Sequence, residues 1–487
     1  MAIRLTPTPS HPEDFRTVFN GITVNTSKVN VCNAEYDEVI PEDLVNVTIG
    51  VFYDGTRNNR KNVNARKEYE KDDSDPTKDK EAAKHYNTWY TFKKSGSYDN
   101  EHSNISRMEP AYKKINTEKN IQLSLYIEGI GTENYEGDST WGSAMGKGVT
   151  GVKGKVKKGC KKIAELLARN GVHNINILTI DTYGFSRGAA AARYFIHEIF
   201  QRKGANKEVN NGLGLYEYLG AKYTEDFGVL GEELAKNGIS LRLGPIVRFV
   251  GLYDTVASFG LNHDSDTKEL HLDAISKACF TFQLAAADEH RKNFRLTNIK
   301  SARKGLERFL PGVHSDIGGG YRHEKDEELT LDYGMSLKKM EDERQKLIAM
   351  GWYLPHQIEV NKFWGSLRAK RENISNRYSY IPMHVMAEYS EKKEVKYDIS
   401  LITDSYAIVN ENKSVKLTEV KERIDHYVYE KKGQLTFDSS EDKVMLKALR
   451  NQYFHFSAHY NNSILGVIAP MSPDRDNGVR TRQIQPG

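Results

Sequence analysis

The stretch from Ile175 to Phe200 constrains the fold more than any other part of the chain. An apolar run of β type, INILTI (Ile175 to Ile180), leads into Gly184-Phe185-Ser186-Arg187-Gly188, and an alanine-rich helical pattern, RGAAAARYFIHEIF (Arg187 to Phe200), follows at once. G-x-S-x-G between a buried strand and a helix N-terminus is the pattern of a nucleophile elbow. Gly184 and Gly188 allow the tight turn, which pushes the Ser186 hydroxyl out at the carboxyl edge of the strand. The Arg187 N–H, at the start of the helix, then faces any negative charge that develops on a reacting carbonyl oxygen. The plainer alternative is a Ser/Gly turn that merely starts a helix.

Three further apolar runs match the first: Val47 to Tyr53, Ile121 to Ile127 and Ile246 to Tyr253. Continuous runs of this kind fit strands buried on both faces of a mostly parallel sheet, and the helical pattern Cys160 to Arg169 between two of them gives the βαβ alternation of an α/β fold with helices on both faces. Polar insertions separate the strands at about 58–119, where Arg66 to Lys84 is rich in Asp and Lys, and at about 203–244. After about residue 340 the pattern changes to a charged helical run (Ser336 to Trp352), aromatic-rich segments and a Pro/Arg-rich tail (Pro470 to Gly487). We therefore expect a catalytic domain over residues 1–340 and an accessory region over 341–487, packed on it or forming a lid. With 487 residues the chain is too long for a single small binding module.

A serine at its ordinary pKa is a poor nucleophile, so the elbow needs a base and an orienting acid. In α/β-hydrolases these follow in the order Ser, Asp or Glu, His. Asp254 ends the strand-like VGLYDTV, and His314 lies in the glycine-rich loop PGVHSDIGGGY. His263 and His290 also follow Asp254, and Asp316 competes with Asp254 as the acid. Asp254 is preferred because a sheet fixes a carboxylate at a strand end, whereas Asp316 is better placed to hold the glycine loop. The loop Asp54-Gly55-Thr56 follows the first strong strand, so the N–H groups of Gly55 and Thr56 are candidate second oxyanion donors. Asp54 supports that turn. FYDGT also approximates the D-x-D-G-T of aspartate-nucleophile phosphatases, but Phe52 stands at the nucleophile position.

The remaining signals exclude more than they propose. Seventy Lys and Arg against 66 Asp and Glu leave a net charge of +4, too small a field for a nucleic-acid partner. No apolar run is long enough for a transmembrane helix, and the start MAIRLTPTPSHPEDF has no signal-peptide core. Cys32, Cys160 and Cys279 have no C-x-x-C spacing and read as reduced thiols, excluding a cysteine zinc site. Gly146 to Gly151 satisfies G-x-G-x-x-G without a buried strand before it, so no dinucleotide is expected. His314, Asp316 and His323 lack further carboxylates in motif spacing, and neither a catalytic metal nor any other cofactor is expected. Lys147 to Lys162 holds seven lysines and no acid; a solvated face is favoured over a cationic patch for anionic lipid headgroups.

Taken together, FYDGT (Phe52 to Thr56), EGIGT (Glu128 to Thr132), YGFSRGAAAAR (Tyr183 to Arg193), GLYDTV (Gly251 to Val256), AADEHRKNF (Ala286 to Phe294) and PGVHSDIGGGY (Pro311 to Tyr321) resemble the α/β-hydrolase domain of bacterial type VI secretion lipase effectors, the first of their phospholipase families. The resemblance spans roughly residues 47–322. It implies an antibacterial toxin that hydrolyses membrane phospholipids as a phospholipase A, with Ser186 as nucleophile, Asp254 as acid and His314 as base. It also implies delivery to the periplasm of rival cells on a spike protein, and a cognate immunity protein in the producer. IPMHVMAEYSE (Ile381 to Glu391) and LRNQYFHFSAHY (Leu449 to Tyr460) resemble the family more loosely. There Tyr453, Phe454, Phe456 and Tyr460 suit either membrane contact or, as is commoner for such clusters, the core. The rival readings are a soluble carboxylesterase or thioesterase with the same triad, and a catalytically silent binding or cargo protein.

Overall fold

The computed structural model describes residues 26–31, 34–93, 96–139, 150–201, 226–257, 266–429, 439–461 and 471–487. A hairpin of β1 (Thr26–Val31) and β2 (Ala34–Val39) precedes an eight-stranded sheet. That sheet comprises β3 (Val45–Tyr53), β4 (Ile115–Asn116), β5 (Asn120–Ile127), β6 (Asn174–Phe185), β7 (Ser240–Leu241), β8 (Ile246–Tyr253), β9 (Phe280–Ala286) and β11 (Gly305–Leu310). The strand order is β11-β9-β8-β6-β3-β5-β4, with β7 paired to one end of β6, and only β4 runs antiparallel to its neighbour. The four apolar runs of the sequence are thus its four central strands, and a mostly parallel α/β fold is what forms.

Burial on both faces explains why these strands are apolar throughout. Val47, Ile49, Val51 and Tyr53 point to the face covered by the helices Val152–Arg169, Arg187–Ile199 and Gly228–Lys236. Phe52 and Tyr183 point to the other face, where they stack at 4.6 Å under the helices Asn104–Met108 and Tyr380–Glu391. Asp181 interrupts the apolar pattern of β6 and is fully buried there; Arg248 pairs with it at 2.5 Å and the Tyr112 hydroxyl donates to it at 2.7 Å. A buried charge survives only when paired and hydrogen-bonded in this way.

Residues beyond 340 do not stand apart from the sheet. Trp352, Tyr378, Ile381, Met386, Leu449, Tyr453, Phe454 and Phe456 form one apolar cluster with Tyr183, Phe185, Tyr253 and Phe282 of the sheet. Tyr453, Phe454 and Phe456 are therefore core residues rather than membrane contacts. From this part β14 (Ser366–Ile374) and β13 (Ile358–Asn361) join β12 (Lys325–Tyr333) in a three-stranded antiparallel sheet, in the order β12-β14-β13. In the tail, β15 (Arg475–Asp476) and β16 (Val479–Arg480) form a short hairpin, and β17 (Ile484–Gln485) lies parallel to β10 (Leu296–Thr297).

Two readings of the sequence are corrected here. Cys279 is disulfide-bonded while Cys160 is a free buried thiol, so the thiols are not all reduced; cysteine spacing along a chain does not show which thiols are oxidised. The described lysines of the basic run are not simply a solvated face either. Lys155 is buried against Glu128 at 2.8 Å and Glu133 at 3.0 Å, Lys158 pairs with the same two acids, and Lys162 lies 3.5 Å from Glu128. Lys147 to Val149, most of the Gly146 to Gly151 motif, most of the second insertion, Cys32 and His263 lie outside the described residues. Among the described residues, no helix is long and apolar enough to cross a membrane.

Candidate active site

From β3 the chain first continues to β5 on one side and then returns to β6 on the other, so the carboxyl ends of β3 and β6 flank a topological switch point. Open α/β sheets bind ligands at such a crevice. Ser186 sits there, between β6 and the helix Arg187–Ile199, with φ 58° and ψ −126°. Its N–H donates to the Tyr253 carbonyl at 3.0 Å, and its own carbonyl accepts the Val256 N–H at 3.2 Å. A non-glycine residue in this conformation is held against its steric preference by such contacts, a form of strain concentrated at functional sites.

The two flanking glycines have separate roles. A Cβ on Gly184 would lie 2.4 Å from the Gly188 carbonyl oxygen, so the turn itself closes only over glycine. A Cβ on Gly188 would lie 2.3 Å from the Asp54 carbonyl oxygen, so the helix rests directly on the loop after β3. This close approach lets the Arg187 Nε donate to Thr56 Oγ1 at 2.7 Å. Burial and the nearby Arg57 charge lower the Arg187 guanidinium to about 10.

The Asp54 carboxylate fastens that loop. Oδ1 accepts from the Ser103 hydroxyl at 2.6 Å and from the Gly55 N–H at 2.7 Å, and Oδ2 accepts from the Tyr126 hydroxyl. Burial raises the Asp54 carboxyl above its usual range despite these donors. Because the Gly55 N–H is committed to Asp54, the expectation that it serves as an oxyanion donor is corrected.

Asp254 and His314 meet behind the serine. Asp254 directly follows β8 with φ 41°, and its N–H donates to the Leu284 carbonyl of β9 at 2.8 Å. Its Oδ2 lies 2.6 Å from His314 Nδ1, while Oδ1 accepts from the Ala286 N–H at 2.9 Å and from Arg482 Nη2 at 2.6 Å. Burial opposes ionisation of Asp254, but the Arg482 charge and the His314 hydrogen bond outweigh it and hold the carboxyl below its usual range. His314 opens the five-residue helix His314–Gly318, and its N–H donates to Glu289 Oε2 at 3.3 Å. The imidazole lies between the rings of Phe185 (4.6 Å) and Phe294 (5.0 Å, edge-on). Burial lowers its pKa, against the pull of Asp254. Its Nε2 is buried with no hydrogen-bond partner among the described residues, Ser186 included. In a site without substrate such a contact is often unmade.

Asp316 takes a different part. Its Oδ2 accepts the Val313 N–H at 3.0 Å and its Oδ1 lies 3.0 Å from His455 Nδ1, so it ties the loop to the part of the chain beyond residue 340. Burial pushes Asp316 well up and His455 down to about 3, which leaves two neutral partners. Sequence reasoning missed Arg482, Glu289 and Phe294 as residues around the histidine. Glu289 and Phe294 lie within the AADEHRKNF motif, so a signal for them was present; for Arg482 there was none.

A mostly parallel sheet with a strained serine at its switch point and a buried His–Asp pair belongs to an α/β protein of the lipase and esterase type. The chain belongs to the Tle1-like phospholipase effectors of the type VI secretion system: residues 49–352 match the family described as T6SS, Phospholipase effector Tle1-like, catalytic domain. Its structure is similar to that of the Tle1 effector bound to the VgrG spike from the type 6 secretion system, with 21% identity and a TM-score of 0.60 over 96% of this chain and 99% of that one. A crystal structure of an uncharacterized protein from Pseudomonas aeruginosa is similar over 82% of this chain and 52% of its own, with 17% identity and a TM-score of 0.37. No curated protein matches the sequence.

Proposed function

We propose that the protein is a serine phospholipase of the A type, an antibacterial toxin that cleaves acyl esters of membrane phospholipids. The observation that carries this reading is the 2.6 Å contact of His314 Nδ1 with Asp254, which leaves Nε2 as the only ring nitrogen able to take a proton. In the reaction His314 Nε2 accepts the Ser186 proton as Oγ attacks the ester carbonyl, and Asp254 orients and balances the imidazolium that forms. The N–H groups of Arg187 and Thr56 hold the oxyanion, each contributing about 100- to 1000-fold. His314 then protonates the leaving lysophospholipid oxygen, and water, activated by the same base, releases the fatty acid from Ser186.

The reading extends to delivery, supported by the similarity to the Tle1 effector bound to the VgrG spike: the chain travels on the spike of the secretion apparatus, acts in the periplasm of target bacteria, and is countered in the producer by an immunity protein. The test is fatty-acid release from phosphatidylethanolamine/phosphatidylglycerol vesicles by the wild type and by Ser186→Ala. Release that vanishes in the variant supports the reading. Ser186-dependent cleavage of a soluble ester without vesicle hydrolysis points to the esterase instead, and no activity on either substrate points to a silent cargo protein.

A further inference from the structure

Asp254 has two carboxylate oxygens, and only one of them serves His314. The other receives the Ala286 N–H at 2.9 Å and the Arg482 guanidinium at 2.6 Å. Arg482 comes from the tail, far from every motif that marks the site, and its side chain is 8% exposed. The same guanidinium donates through Nη1 to the Phe294 carbonyl, and the Phe294 ring packs edge-on against His314. One side chain therefore grips both the acid that orients the imidazole and the residue that walls it.

The tail is fastened on both sides of this contact. Before it, Arg480 donates to the carbonyls of Leu331 (2.7 Å) and Ala458 (2.9 Å) and pairs with Glu343 at 2.9 Å. After it, β17 runs along β10, with Leu296 N–H donating to Gln483 at 2.9 Å, Asn298 N–H to Gln485 at 3.1 Å, and the Gln485 amide to Thr297 Oγ1 at 3.0 Å. A tail anchored at both ends presents Arg482 in one place, which is what a preorganised hydrogen bond to a buried carboxylate requires.

We propose that Arg482 is a positioning residue of the active site, which clamps the Asp254 carboxylate onto His314 and balances its charge throughout the reaction. This rests on the serine-hydrolase reading given above. The charged groups facing the pair are Asp254, Glu289 and Glu307 on one side of the balance and Arg291 and Arg482 on the other. Removing Arg482 leaves the imidazole in a more negative surrounding. That favours the imidazolium, which cannot act as a base, so activity is lost at a higher pH on acidification. Loosening the clamp also lets the imidazole drift from the serine, and a misplacement of about 1 Å costs roughly 100-fold in rate.

The experiment compares the wild type with Arg482→Gln, Arg482→Lys, Arg480→Gln and Ser186→Ala in hydrolysis of 4-nitrophenyl butyrate across pH 5 to 9, with a thermal melt of each. The expected result is that Arg482→Gln lowers kcat about 10- to 100-fold with KM within about twofold and moves the acid limb upward. Arg482→Lys restores part of both, and Arg480→Gln, which loosens the tail without touching Asp254, leaves the limb in place. A wild-type kcat and limb in a folded Arg482→Gln overturns the proposal. So do equal losses in the Gln and Lys variants with an unmoved limb, since that is a structural role alone. Ser186→Ala with full activity sinks the serine-hydrolase reading itself, whereas an inactive Ser186→Ala beside an unchanged Arg482→Gln sinks only the role of Arg482.

Discussion

Tyr126 donates its hydroxyl to Asp54 Oδ2 across 2.6 Å, and the hydroxyl oxygen of Tyr126 in turn accepts the Arg60 N–H at 3.1 Å. Through this one hydroxyl the neighbouring strand β5 and the start of the helix Arg60–Glu70 both hold the loop that carries Thr56. The polar segment after β3, which as sequence looks like a surface insertion, supplies Ser103 to the same carboxylate. Tyr126→Phe removes one charge-assisted donor and is expected to cost about 1.5 to 3 kcal/mol of stability. Asp54→Ala frees the loop altogether, and kcat is expected to fall about 100-fold with a smaller change in KM. Urea unfolding and ester hydrolysis check both. Wild-type kcat in Asp54→Ala would remove the loop from the mechanism.

Asp254 and Asp316 are two buried carboxyl groups near one histidine, and their surroundings push them apart. Arg482 and His314 keep Asp254 ionised, whereas burial keeps Asp316 neutral. An amide resembles the neutral acid, so Asp316→Asn is expected to retain activity within about threefold. Asp254→Asn is expected to lose about 10,000-fold, because an amide in place of the acceptor favours the wrong imidazole tautomer. If the two variants exchanged these outcomes, Asp316 would be the orienting acid.

Much of the fold could be read directly from the chain. The runs at Val47, Ile121, Ile175 and Ile246 have no polar alternation because both faces of the sheet are covered, and that makes them conspicuous. The turn at Ser186 announces itself because a Cβ on Gly184 or Gly188 would lie 2.4 or 2.3 Å from a backbone carbonyl oxygen, so only glycine fits at either position. What escaped notice was long-range. Arg482 stands 228 residues from Asp254, β17 has two residues, and the lysines at 155 and 158 meet their acids in a separate loop. Pairing across such distances leaves no period or spacing in the sequence, and a charged side chain looks the same whether it is solvated or buried against a partner.

The acid limb of the wild-type activity should lie below the ordinary histidine range of about 6.5. Burial, with Asp254 pulling the other way, holds the His314 pKa down, and the reaction needs the neutral imidazole. Activity is therefore retained into mildly acidic solution and lost only as pH falls through the lowered value. Stability changes in the same sense. The unfolded chain takes up the His314 proton at a higher pH and the Asp254 proton, near pH 3.9, before the folded state does, so acidification favours unfolding. A pH–rate profile on a soluble ester, paired with melts at each pH, reads both effects. A limb at pH 7 or above would contradict the buried, lowered histidine.

The part of the chain beyond residue 340 should be inseparable from the sheet. Met386 sits so close to β8 that a Cβ on Gly251 would lie 2.9 Å from its sulfur, Tyr389 stacks on Phe282 at 4.2 Å, and the Tyr183 hydroxyl donates to Ser390 at 3.0 Å. One helix, Tyr380–Glu391, therefore caps three neighbouring strands of the sheet. Removing it exposes Tyr183, Tyr253 and Phe282 together, a contiguous apolar patch of the kind that marks an aggregation-prone surface. A chain ending at residue 340 is expected to show no cooperative thermal transition, and Met386→Ala in the full chain to lose about 2 to 5 kcal/mol. Both follow from differential scanning calorimetry and urea titration. A truncated chain that melted cooperatively near the wild-type temperature would mean that the sheet closes its own core, and that the helix covers a face stable without it.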